Sequence, residues 1–498
     1  MPATRARAVV RVSRGARWAA ACLLGWPWTI APATAAPVQA TSAAPSSAAS
    51  GAATVRVPAH RRVVLPNGVV LVMVPLREVP LVAFTAVVRG GALGDPPGRA
   101  GLASLVAGLL ERGAGGRDAF GFADAVEGAG GRFAAGAGAE SITVSGQFLA
   151  RDRALMLELL ADALLRPRFD PAEFDRLRAR RIELLKASKD GNPAELLADY
   201  GRALLFGAHP YGAPVDGSER TLAAIGHDDV RDYWATRFGA DRLTLVFAGD
   251  LDPKGMEAAV RAAFGRLAPA RAPLPPLPEP RRIAGRRVLL VDAPGASQAY
   301  FWIGNVGVSR HYRDRAALDV VNTLYGGRFT SILNTELRVK SGLSYGASSG
   351  FVRGSVPGEF AITSFTQAEN TARAVDLALA TLAGLERQPP DAAMLESARN
   401  YVLGQFPLRL ETAAHWAGQL ADLEFFGLDR GYVEGYGPAL AAVAGSDAAR
   451  VIADAFPPVD DLAIVLIGDA AQVRDAARRY GTLLEIPLAA PDLLPAPR

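Results

Sequence analysis

Leu243-Thr244-Leu245-Val246-Phe247-Ala248-Gly249-Asp250 is an apolar run closed by Gly-Asp, and it returns late in the chain as Leu462-Ala463-Ile464-Val465-Leu466-Ile467-Gly468-Asp469. A short, unbroken apolar run that stops at a turn signal reads as a strand buried on both faces. Each copy has a helical stretch before it, residues 228–238 and 447–456, and helix-forming sequence after it. Recurrence of the whole helix-strand-Gly-Asp-helix unit predicts one fold present twice.

Working outward, Val63-Val64-Leu65 and residues 69–74 flank Pro66-Asn67-Gly68, and Asn-Gly between β-branched runs signals a hairpin. A third strand is expected at 81–88. After the loop Gly94-Asp95-Pro96-Pro97-Gly98, Leu102, Leu105, Val106, Leu109 and Leu110 recur at helical spacing, one helix face meant for a sheet. The other face carries Ser104, Ala107, Gly108 and Glu111. Strands at 142–148 and 243–249 alternate with helices at 153–165 and 171–188, which predicts an α+β fold of helices on a largely antiparallel sheet. Pro273, Pro275, Pro276, Pro278 and Pro280 interrupt the pattern as a linker. The expected organisation is an N-terminal domain at 55–269, a linker at 270–284 and a C-terminal domain at 285–498, each domain about 200 residues.

The 498 residues are 50% hydrophobic and 21% charged, too apolar for a disordered chain. Of 54 basic residues, Arg5, Arg7, Arg11, Arg14 and Arg17 fall in a start that has no acid, and without them the bases no longer outnumber the 50 acids. No electrostatic reason remains to expect nucleic acid or anionic lipid. The basic start, an apolar run at 18–30 and Ala33-Thr34-Ala35-Ala36 predict a signal peptide over 1–36, then a flexible tether over 37–54. The run is shorter than the roughly 20 residues that span a bilayer, so export to the periplasm without a stable membrane anchor is expected. Cys22, the only cysteine, lies inside that run, so the exported chain has no disulfide.

None of the five histidines (His60, His209, His227, His311, His415) has another His or a Cys within metal-ligand spacing, and no nucleophile elbow or phosphate loop is present. His209, in His-Pro-Tyr-Gly, reads as a turn residue; His311 and His415 read as surface or packing residues, and Glu111 and Arg112 as solvent-facing.

Taken in order, Leu65-Pro-Asn-Gly68, a strand ending in Arg89-Gly-Gly-Ala92, Gly101-Leu-Ala-Ser-Leu-Val-Ala-Gly-Leu-Leu-Glu-Arg-Gly113, His209-Pro-Tyr-Gly212 and Leu337-Arg-Val-Lys-Ser-Gly-Leu-Ser-Tyr-Gly346 resemble the insulinase/pitrilysin family of inverzincin peptidases. The resemblance covers nearly all of the chain after the leader and implies two homologous domains forming a clam-shell. Active members carry H-x-x-E-H in the helix after Gly-Leu-Ala, two zinc ligands and a general base. Here those positions are Ser104, Ala107 and Gly108. The family's third ligand, a Glu on a later helix, falls by counting at Glu183 or at Leu184 or Leu185. One carboxylate cannot hold a zinc that needs three protein ligands. The small residues on the vacated face would either line an empty cavity or allow close helix packing. The family's Asn-Ala in the edge strand that pairs with substrate is here Ala134-Ala135.

The resemblance also implies that Arg338 and Tyr345 contact substrate at the scissile bond, a cation and a phenol suited to a carbonyl oxygen gaining charge. The expected function is that of a non-catalytic subunit of an exported heteromeric peptidase. No metal is expected in this chain; a zinc-bearing relative supplies zinc, base and water, and this chain supplies Arg338, Tyr345 and chamber wall for a peptide substrate. The alternatives are an inactive peptide-binding or scaffold protein and, less favoured, an independent metallopeptidase.

Overall fold

The computed structural model describes residues 55–494, so the signal peptide and tether expected at 1–36 and 37–54 lie outside the described residues. In the first half, β1 (Arg61–Val64), β2 (Val70–Pro75), β3 (Leu81–Arg89), β4 (Arg132–Ala137), β5 (Ser141–Leu149) and β6 (Leu243–Gly249) form a sheet ordered β1-β2-β6-β3-β5-β4. In the second half, β7 (Arg287–Asp292), β8 (Gln298–Val306), β9 (Ala347–Phe351), β10 (Glu359–Gln367), β11 (Ala463–Gly468) and β12 (Thr482–Pro487) are ordered β12-β7-β11-β8-β10-β9. The two repeated runs are thus β6 and β11. Each is buried along its whole length, parallel to one neighbour (β2 or β7) and antiparallel to the other (β3 or β8). The repeats differ at the outer strand: β1 reaches β2 through the predicted Asn-Gly hairpin, whereas β12 arrives parallel to β7 after a crossover helix, Ala470–Arg478.

Strand alternation gives each sheet two apolar faces. One is covered by helices of its own half. Leu71, Met73, Val82, Phe84 and Phe247 pack beneath the helices Leu102–Leu110 and Arg153–Leu165, and Phe301, Ile303, Phe360 and Ile362 pack beneath Arg315–Asn322 and Thr371–Arg387. The opposite faces are covered reciprocally. Leu197, Tyr200, Leu205 and Phe206, on the helix Leu197–Phe206 of the first half, lie on Leu289, Trp302, Val465 and Ile467 of the second sheet. Trp416, Leu420 and Leu423, on the helix Ala413–Phe426 of the second half, lie on Val72, Val74, Val87 and Val246 of the first. The approach is close enough to require glycine at 201, where a Cβ would stand 2.5 Å from the Trp302 ring. Each fully buried large apolar side chain is worth about 1.5–3 kcal/mol, so this exchange couples the halves strongly. By packing, residues 197–206 and 413–426 therefore belong to the opposite half from the one in which sequence order puts them.

Polar contacts close the seam. Arg62 grips Glu424 with two hydrogen bonds (2.7 and 3.1 Å), and Arg89, at the end of β3, donates to the carbonyls of Glu424 and Phe425 while stacking on the Phe425 ring. Glu140, in the β4–β5 turn, accepts from Tyr211 Oη (2.6 Å) and from the Ser355 amide (2.8 Å) of the other half. The proline-rich stretch holds no helix or strand. It is pinned at Pro278 by His209 Nε2 (2.8 Å) and at Pro273 by Arg237 (2.7 Å). No helix among the described residues is long and apolar enough to cross a membrane.

Candidate functional site

The helix Leu102–Leu110 starts where Gly101 turns and Asp95 caps it, its carboxylate accepting from the amides of Gly101 (3.0 Å) and Ala103 (2.8 Å). Burial pushes the Asp95 carboxyl up to about 7, against the opposing pull of the amides of Ala103, Gly101 and Leu102 and the charge of Arg237. All nine helix residues are buried, Ser104, Ala107 and Gly108 included. The face without large side chains is packed against the long helix Pro171–Gly191.

The residue that fills the vacated face is Arg181. Its Nη1 donates to Ser104 Oγ (2.5 Å) and to Asp216 Oδ1 (2.8 Å), its Nη2 donates to the Ser104 carbonyl (3.1 Å), and Ser104 Oγ donates to Asp216 (2.5 Å). A Cβ on residue 108 would stand 3.3 Å from Arg181 Nη2 and 3.0 Å from Leu177 Cδ2. The guanidinium thus spans the turn from Ser104 to Gly108, the two positions that would present imidazoles. A group that stays protonated sits where a dication would have to bind, so the residues present do not fit zinc. Of the two expectations for this face, close packing is what the structure has, with a cation as part of the packing. Neither Arg181 nor Asp216 was singled out by sequence. The signal was present: Phe174, Leu177 and Arg181 share one helix face, and an arginine on an apolar face asks for hydrogen-bond partners.

Glu183 is turned away, its carboxylate 2.9 Å from Lys186 and its side chain 70% exposed. Leu184 is exposed and Leu185 half-buried, so none of the three counted positions offers a ligand to the motif. Glu111 and Arg112 do not face solvent as expected. Both are half-buried, Arg112 beside Glu173 at 3.6 Å, and burial raises the Glu111 carboxyl while the amide of Ala135 in β4 pulls it down. The helix end is covered because the edge strand β4 folds back over it. His209 holds its turn by accepting from the Tyr211 amide at Nδ1 (3.1 Å), while His311 and His415 are exposed. Among the described residues, no group of three or more His, Cys, Asp or Glu side chains could hold a metal ion.

In the second half, Ile332–Asn334 runs into a wider (π) helical turn, Thr335–Lys340. Leu337 is fully buried, which leaves Arg338 directed away from the core. The following loop is tied down by Ser364 Oγ to Ser344 Oγ (2.9 Å) and Thr366 Oγ1 to the Leu343 carbonyl (2.7 Å). Tyr345 stands out from this fixed base, 74% exposed. The structure brings the pair together: Arg338 Cζ is 4.4 Å from the Tyr345 ring centroid and 4.7 Å from that of Phe329. Asn334 sets this geometry, donating to the Phe329 carbonyl (2.7 Å) and accepting from the Ala347 amide (3.1 Å) of β9. Held over the faces of both rings, the guanidinium keeps N–H donors for a ligand.

Residues 77–215 match the family model described as insulinase (peptidase family M16), and residues 224–402 match the one described as peptidase M16 inactive domain. An uncharacterized zinc protease of Mycobacterium tuberculosis is 31% identical over 288 residues, 58% of this chain and 66% of that protein, just under two thirds of its length. A Helicobacter pylori protein described as a non-peptidase homolog is 25% identical over 328 residues, 65% of this chain and 74% of that protein. Among solved structures, a peptidase M16 inactive domain from Pseudomonas fluorescens superposes with a TM-score of 0.77 at 24% identity, over 82% of this chain and 98% of that one. That likeness establishes the two-sheet fold.

Proposed function

The chain belongs to the insulinase family of peptidases, family M16, and on that premise we propose that it is the non-catalytic subunit of an exported heteromeric peptidase. The observation that carries the reading is the contrast between its two halves. The motif face is closed by Arg181 and Ser104, while Arg338 and Tyr345 are assembled over a base pinned from below, Arg338 half-buried against its ring neighbours and Tyr345 exposed. A side chain kept only for packing would be buried; Tyr345 is exposed, and half-buried Arg338 lines an open cavity. In the proposed assembly a zinc-bearing relative supplies the metal, the base and the attacking water. This chain closes the chamber and points Arg338 and Tyr345 at the carbonyl oxygen of the scissile peptide. Arg338 offers N–H donors from a fixed charge and Tyr345 a phenolic O–H, and both act on an oxygen whose negative charge grows in the transition state.

The test is co-expression with a relative that carries the H-x-x-E-H motif, followed by timed hydrolysis of an unstructured peptide by the purified complex. Arg338→Ala and Tyr345→Phe should assemble normally and lower turnover by about 10²- to 10³-fold. Parental turnover in both assembled variants would overturn the reading and favour an inactive peptide-binding or scaffold protein.

A further inference from the structure

Beside Arg338 the outer face of the second sheet is only partly covered: the exchanged helix Leu197–Phe206 begins at its edge, with Leu197 and Ala198 forming one side of an opening. Register puts Tyr300 opposite Phe365, and Thr363 opposite Ser348, on this face. They floor an open cavity of about 740 Å³ whose wall is completed by Phe329, Tyr401, Arg328 and Arg338. Its charge is one-sided: two guanidiniums and no carboxylate line it. Glu336, on the same helical turn as Arg338, is engaged by Lys340 at 2.6 Å. Arg328 is anchored at one end only, its Nη1 donating to Ser397 Oγ and carbonyl (both 3.1 Å), while its Nε is buried without a hydrogen-bond partner.

We infer that this cavity is a subsite for an acidic side chain of an extended peptide. Two unneutralised guanidiniums framed by rings offer a carboxylate charge-assisted hydrogen bonds in a setting partly shielded from water, and the rings Tyr300, Phe365 and Tyr401 give apolar contact to the methylenes that carry it. A lysine side chain meets only like charge. The inference rests on the proposed function in one respect, that Arg338 faces peptide, and it adds the chemical class of residue the chain selects.

The test uses the full chain alone and dye-labelled, acetylated and amidated Gly-Ser-Ala peptides that differ only in a central Glu, Gln or Lys, with affinity read by fluorescence anisotropy. The Glu peptide should bind about tenfold more tightly than the Gln peptide, and the Lys peptide most weakly. The Glu preference should shrink at high salt and vanish in the double variant Arg328→Gln/Arg338→Gln, with melting curves reporting whether that variant is folded. Equal affinity for Glu and Gln on the unmodified chain overturns the inference whatever the variant does, and so does a Glu preference that survives in a folded double variant. The two readings fail separately: a charge preference with unchanged complex turnover in Arg338→Ala removes the catalytic role and leaves the subsite, and the reverse pattern removes the subsite alone.

Discussion

At the scale of single residues, the loss of the zinc motif at Ser104, Ala107 and Gly108 was readable directly, and what stands in the metal's place was not. Arg181 is 77 positions beyond Ser104 and meets it only because two helices pack. Restoring Ser104→His, Ala107→Glu and Gly108→His with Arg181 in place should therefore give a chain that takes up no zinc by elemental analysis. It should also melt lower by the equivalent of about 1–3 kcal/mol, since a side chain at 108 collides with Leu177 and Arg181. Stoichiometric zinc in that variant would mean the guanidinium swings clear. Asp95 supplies a second expectation. Unfolded, it ionises near 3.8; folded, it holds its proton up to about 7. Between those values the folded chain binds the extra proton, so stability contributed here is full below 3.8 and falls as pH rises toward 7. The slope is at most ~1.4 kcal/mol per pH unit. Asp95→Asn should flatten that part of the urea-denaturation profile between pH 4.5 and 7; parallel profiles for the two chains would assign the slope elsewhere.

At the scale of elements, hydrophobic period and turn chemistry placed the strands expected at 81–88 and 243–249 and the helix expected at 153–165 within a residue of where they form, and left most elements of the second half unbounded. They could not say which sheet a helix covers. Tyr200 and Leu205 look the same in sequence whether they lie on their own half's sheet or the other's, because an apolar stripe has no address. The exchange predicts that Gly201→Val, which puts a branched side chain where even a Cβ meets the Trp302 ring, lowers the melting temperature far more than a valine at exposed Gly191. Similar losses at the two positions would show that the helix is free to shift outward.

At the scale of the whole molecule, the exchanged helices and the arginine contacts of the seam mean that neither half owns a complete set of covering elements. Calorimetry should record one cooperative transition for the chain, and residues 55–269 expressed alone should fail to give a sharp transition, with the Val72, Val74, Val87 and Val246 face left bare. Two separable transitions, or a half-chain that melts cooperatively, would contradict the coupling.

By itself the sequence determined the α+β class, the duplication carried by β6 and β11, the absence of the zinc motif and the sequence neighbourhood of Arg338 and Tyr345. All of these depend on local period or on residue identity at one place in the chain. Tertiary structure alone decided that Arg181 and Asp216 close the motif face, that Glu183 points away, that Glu111 lies under β4 and that Phe329 completes the stack on Arg338. Each of these is a meeting of side chains whose partners are set by how helices cross and strands register, and that geometry is a property of the packed core as a whole.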